Sequence, residues 1–224
     1  MGRARRPTAN APLGDLAWRD LEGAGLRVLS GRRLGFRQRK AGLAALASDI
    51  DEDSGVAAVW LVQHAGSADS VQHMLWFEGI GGWRCLGGGS GGSGRELSLA
   101  GRPSASLAGP AAMLTPLGEC SGRSLADREA LGREPDFAHV GWVASAGFRC
   151  AAEVAYVLAG PRRIKVPGHG YVIVAWKAPP RSGPPRRPLV VAVAADGSRL
   201  TELGSGSYVD SLTWAAVEAA IVEE

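Results

Sequence analysis

From Val56 onward the chain is written as short runs of β-branched and aromatic residues punctuated by Gly, Pro and Asp-Gly, and this rhythm limits the fold more than any other feature. The run VAAVWLVQH (56–64), a polar AGSADS turn and the run VQHMLWF (71–77) predict a β-hairpin, because such side chains suit a pleated backbone. Residues 83–86 predict a third strand after a Gly-Ile-Gly-Gly turn. Further runs follow at 139–145, 152–159, 163–166, 171–177, 189–195 and 199–203, with Pro161, Pro167, Pro179 and Pro180 at their ends, where a missing N–H does no harm. Short strands at regular spacing predict a mainly β protein with an antiparallel, sandwich-like arrangement.

Short helices are expected near both ends. Asp15 is placed to cap a helix over 16–22 that Gly23 closes. Phe36, Leu43, Ala47 and Ile50 share one helical face and predict a second helix over 36–50. Its charges oppose the helix dipole, with Arg37, Arg39 and Lys40 first and Asp49, Asp51, Glu52 and Asp53 last, at about 0.3–1 kcal/mol for each misplaced charge. Ser124 and Asp127 have capping-box spacing for a helix over 125–131 closed by Gly132, and Asp210 or Ser211 caps a last one reaching 222. The organisation read from these elements is a basic arm (1–12), a lobe of helices and hairpin (13–86), a Gly/Ser-rich loop (87–97) and a second β-rich lobe (98–224). The two lobes form either one domain or two.

The run AAEVAYVLAGPRRIKVPGHGYVIVAWKAP, followed by PLVVAVAADGSRL, resembles a pattern in poorly characterised β-rich proteins of actinobacteria over residues 138–203. A strand, a prolyl turn, a strand ending in Ala-Trp and an Asp-Gly turn succeed one another in that pattern. The resemblance implies a β-sandwich-like unit and brings no activity with it.

A chain of 224 residues buries enough surface to fold without disulfides or metal staples. Its apolar runs fall short of the roughly 20 residues a bilayer-spanning helix needs, so no membrane partner is expected. The opening residues carry basic charge without an apolar run behind it, which predicts a cytoplasmic address. Cys85, Cys120 and Cys150 are odd in number and lack CxxC spacing, so neither a disulfide framework nor a zinc ribbon is expected, and no cofactor is implied. Residues 1–40 hold ten basic and three acidic residues, whereas 41–224 hold fifteen and nineteen, so the positive potential belongs to the N-terminal segment.

Few residues suggest chemistry. Gly118-Glu-Cys120-Ser-Gly122 has the form of a nucleophile elbow with Cys in place of Ser, and Asp136 with His139 or His169 follows in the order a triad requires. An elbow needs a strand-to-helix turn in a parallel sheet, and the flanking hairpin signals favour an ordinary turn instead. His64 and His73 sit on opposite arms of the predicted hairpin. Two imidazoles fall short of the three or four ligands zinc takes, which favours a solvent-facing polar pair. The glycines at 87–94 lack the endings of a phosphate-binding loop. Gly204-Ser-Gly-Ser207 before the last helix reads as a loop and cap.

Arg32, Arg33, Arg37, Arg39 and Lys40 form a basic segment suited to an acidic protein or nucleic acid, but no nucleic-acid motif accompanies it. Trp60, Trp76, Trp142 and Trp176 lie inside apolar runs and are assigned to the core, leaving Trp83 as an interface anchor. The favoured expectation is a non-catalytic cytoplasmic module that binds a protein partner. A thiol-dependent α/β-hydrolase using Cys120 is the alternative, and a nucleic-acid-associated protein is the third.

Overall fold

The computed structural model describes residues 16–92, 99, 101–105, 112–132, 139–180 and 187–204. Among them are helices α1 (Trp18–Leu29), α2 (Phe36–Lys40) and α3 (Leu125–Leu131). The first strands are β1 (Leu43–Asp51), β2 (Val56–Gln63), β3 (Val71–Gly79), β4 (Trp83–Gly92) and β5 (Leu114–Arg123). They are followed by β6 (Trp142–Cys150), β7 (Tyr156–Ala159), β8 (Arg162–Lys165), β9 (Tyr171–Ala178), β10 (Val190–Val193) and β11 (Arg199–Leu203). The described strands form three antiparallel sheets, ordered β1-β2-β3-β4, β5-β6-β9 and β11-β10-β7-β8. The protein is therefore mainly β, as the spacing of its apolar runs predicts.

Alternation of side chains explains the layering. One face of the first sheet, with Val56, Ala58, Trp60 and Val62 of β2, packs on Tyr171, Ile173 and Ala175 of β9. Its other face, with Ala57, Val59, Leu61 and Phe77, is covered by Leu21 and Ala24 of α1. The far side of β9, with Val172, Val174 and Trp176, packs on Val157, Val190 and Ala192 of the third sheet. Strands β2 and β9 are thus covered on both faces, which is why each reads as an unbroken apolar run. Trp60, Trp76 and Trp176 are buried as expected, and Trp142 is partly buried against the same core.

Three local expectations need correction. Helix α1 continues past Gly23 to Leu29, because the left-handed turn that ends it falls at Gly31 (φ 66°). The second predicted helix stops at Lys40, and residues 43–51 are strand β1. A register shift between Ala45 and Ala47 adds a residue to β1, and Leu43 and Ile50 pack on the α1 side of the sheet while Ala47 packs on the β9 side, so the three do not share one face. The glycines at 87–92 extend β4 rather than forming a loop. A Cβ at Gly88 would lie 2.6 Å from Leu75 Cδ2 and 2.8 Å from the Trp18 indole, so the missing side chain admits two apolar neighbours onto the strand. Pro116 sits within β5, at the edge of its sheet and beside a register shift, where a ladder tolerates proline.

Helix α3 matches its sequence signature: Ser124 Oγ accepts a hydrogen bond from Asp127 N–H at 3.1 Å, and Gly132 (φ 94°) follows the helix. The arm 1–12, residues 93–97 of the Gly/Ser stretch and the helix expected to end at 222 lie outside the described residues. Strands β2 and β3 before that stretch and β6 and β9 after it contribute to one apolar core.

Candidate functional site

Cys120 lies in the middle of β5, opposite Ser145 of β6, so it occupies neither the strand-to-helix turn of an elbow nor the ordinary turn expected from the sequence. Burial, and then the charge of Glu119, push its thiol above the ordinary value, away from the thiolate a nucleophile requires. His139 precedes β6, while His169 adjoins Tyr171, whose partner Arg149 lies near the other end of that strand. The two imidazoles therefore flank opposite ends of β6, with Cys120 facing its middle. His169 Nδ1 accepts a hydrogen bond from the Tyr171 N–H at 3.1 Å, and burial lowers its basicity. Asp136 lies outside the described residues.

The two hairpin histidines are not a solvent-facing pair. His73 is only 6 % exposed and bonds Ser90 Oγ through Nδ1 at 2.7 Å, whereas His64 is exposed just past the end of β2. His73 pairs with Leu61, three positions before His64, so the register keeps the imidazoles apart. Among the described residues no three His, Cys, Asp or Glu side chains are grouped to hold a metal. Trp83 opens β4 at the edge of its sheet and is partly buried beside Gly79 and the α1 cluster.

Two polar junctions join the layers. Buried Glu78 of β3 accepts hydrogen bonds from Ser124 Oγ (2.6 Å), Leu125 N–H (2.7 Å) and Ala126 N–H (2.9 Å), so it caps α3. Lys177 of β9 bonds both Glu78 (3.3 Å) and Asp127 (2.8 Å), and Asp127 also accepts from Gly141 N–H at 2.9 Å. The second junction is Asp49 of β1 with Ala175 of β9 and Arg162 of β8. Both networks are closed by hydrogen bonds within the protein and read as structural latches.

Next to the second latch is an apolar groove of about 250 Å³. Its walls are Ala45–Ser48 of β1, Ile164 and Lys165 of β8, and Tyr171–Ile173 of β9, with Val28 of α1 and Pro167 at its margin. Each of β1, β8 and β9 is the edge strand of a different sheet, so three edges converge on one opening. An edge strand carries backbone groups without ladder partners and is a template for a further strand. Lys165 is exposed at the rim and forms no ion pair with a described residue. No sequence signal marks this groove, since its walls come from segments more than a hundred residues apart.

The predicted basic segment is a second surface feature. Arg32, Arg33, Arg37, Arg39 and Lys40 are all exposed, and Phe36 among them is 74 % exposed rather than buried on a helical face.

Comparison with protein-family models, with curated proteins and with solved structures finds no match for this chain.

Proposed function

We propose that this protein is a non-catalytic interaction module that receives an extended segment of a partner protein in the groove bounded by β1, β8 and β9. The convergence of three sheet edges on one apolar opening carries this reading. An extended peptide adds to a sheet edge through main-chain hydrogen bonds, while side-chain pockets set its specificity. A peptide lying here would place an aliphatic side chain against Ile164 and Pro167, the partly exposed apolar walls, and an acidic one against Lys165. The position of Cys120 within an antiparallel strand, with its thiol made less acidic, supports a binding role over hydrolysis.

The test is selection of short peptides from a displayed random library on the full chain, followed by hydrogen exchange of the complex. The reading expects acidic–aliphatic sequences that slow exchange at 45–48 and 171–173. Ala45→Trp, which fills the groove from an exposed position, and Lys165→Glu should each weaken binding roughly tenfold or more, as loss of an interface anchor does. Protection confined to other segments, or affinity indifferent to both substitutions, would refute it.

A further inference from the structure

We infer that the α1–α2 turn docks on an anionic bilayer surface, with Phe36 entering the interface and the surrounding cations meeting lipid headgroups. This surface is separate from the groove and its use does not depend on the peptide-binding reading.

The geometry of α2 arranges the patch. Gln38 is its one buried residue: it donates through Nε2 to Asp20 O at 3.0 Å and accepts the Gly35 N–H through Oε1 at 2.6 Å. Those bonds fix which side of α2 faces the protein. With successive residues about 100° apart around the helix, Phe36 and Lys40 then project on the side opposite Gln38, and Arg37 and Arg39 flank them. Arg32 and Arg33 stand just before, where α1 ends, so five cations lie within nine residues and surround one aromatic ring. None of the five forms an ion pair with a described residue.

Charge complementarity requires an anionic partner, and the apolar centre narrows the choice. A protein interface needs about 800 Å² from each partner around an apolar centre, whereas this stretch offers a single ring among five cations. Single-stranded nucleic acid is held in a groove by successive aromatic platforms, whereas Phe36 is the one aromatic residue of α2 and the turn before it. The only side-chain amide of α2, suited to a base edge, is turned inward. A bilayer interface offers both requirements at once: anionic headgroups at the surface and hydrocarbon a few ångströms below. No described helix is long and apolar enough to cross a membrane, so the contact is peripheral. It revises the expectation, drawn from the absence of a span, that no membrane is involved.

The experiment is co-sedimentation of the full chain with vesicles of phosphatidylcholine alone and of phosphatidylcholine mixed with phosphatidylserine. Binding should require phosphatidylserine and weaken as salt is raised. Arg37→Gln with Arg39→Gln should lower partitioning roughly thirtyfold, since each basic residue near the surface contributes about fivefold. Phe36→Ala should lower it roughly tenfold, from lost burial of the ring. Phe36→Leu should keep most of the binding, because an aliphatic side chain enters hydrocarbon but cannot stack on a base. All four exposed substitutions leave the core untouched, and circular dichroism checks that the fold persists. No binding to the mixed vesicles, or binding unaffected by these substitutions, overturns the inference. So does preferential binding of single-stranded DNA or polyglutamate, with Phe36→Leu as damaging as Phe36→Ala for the DNA.

Discussion

Asp49 of β1 accepts a hydrogen bond from the Ala175 N–H of β9 at 2.8 Å, joining two sheet edges that share no backbone ladder. Arg162 of β8 pairs with the same carboxylate and donates to Ala175 O at 2.7 Å, so all three sheets meet at one latch. The groove opens just before Asp49 along β1 and just before Ala175 along β9, where the latch no longer holds the strands together.

Asp49→Ala should therefore cost about 2–3 kcal/mol, below the range for a fully buried ion pair, because the Ala175 N–H loses its acceptor while Arg162 keeps the Ala175 carbonyl and Asp51 at 3.8 Å. Asp49→Asn, which keeps an acceptor oxygen, should cost distinctly less. Urea unfolding of both variants makes the comparison. Equal stability of Asp49→Ala and the parent would show that the sheets are held by apolar packing alone.

The Gly-rich end of β4 yields a second prediction. A Cβ at Gly88 would stand 2.7 Å from the Met74 carbonyl oxygen as well as close to Leu75 and Trp18, and backbone gives way less readily than a side chain. Gly88→Ala should destabilise the protein by about 1–3 kcal/mol, as overpacking does. Tryptophan fluorescence during denaturation reads it out, and an unchanged midpoint would mean that β4 does not need glycine there.

These two cases show what a sequence displays and what it conceals. The β2–β3 hairpin was legible because both strands carry uninterrupted β-formers, and α3 because Ser124 and Asp127 state its cap locally. Strand β1 reads as helix because Leu43, Ala47 and Ile50 fall at helical spacing, although the fold places Ala47 on the face opposite the other two. Strand β4 was misread as loop because glycine has no side chain to alternate, and its reason for being there, room for Trp18 and Leu75, lies elsewhere in the chain. The groove left no trace at all: residues 45–48, 164–165 and 171–173 become neighbours only when three sheets stack. The basic residues of the α1–α2 turn were visible as charge, but the exposure of Phe36 depends on Gln38 turning inward.

The α3 junction carries a pH signature. Burial would raise the Asp127 carboxyl, but its bonds from Lys177 and the Gly141 N–H outweigh this and hold it below 3.8. Burial would lower the Lys177 ammonium, and Asp127 with Glu78 hold it above 10.5 instead. The carboxylate's contribution to stability is thus complete above pH 3.8 and lost as pH falls through its folded value. That of the ammonium is complete below pH 10.5 and lost as pH rises through its own. Thermal melts of Asp127→Asn and the parent should differ most on the plateau between these limits and converge in acid. Lys177→Met should cost about 2–3 kcal/mol at neutral pH, below the fully buried range because Lys177 keeps partial solvent access. A gap between Asp127→Asn and parent that persists unchanged in acid would place the Asp127 contribution in packing rather than charge.

Thiol reactivity separates the binding reading from the hydrolase alternative. Burial pushes Cys150 up to about 12, and both Cys85 and Cys120 are raised by burial with a nearby carboxylate adding to the effect. Since the thiolate is the reacting species, all three should label more slowly in the native protein than in the unfolded chain, with Cys150 slowest. A disulfide reagent at mildly alkaline pH, followed by mass mapping of the labelled positions, measures the order directly. Native Cys120 reacting faster than its unfolded reference would require a stabilising partner that its place opposite Ser145 does not provide. The thiol chemistry suggested by the GxCxG spacing would then have to replace the groove as the centre of function.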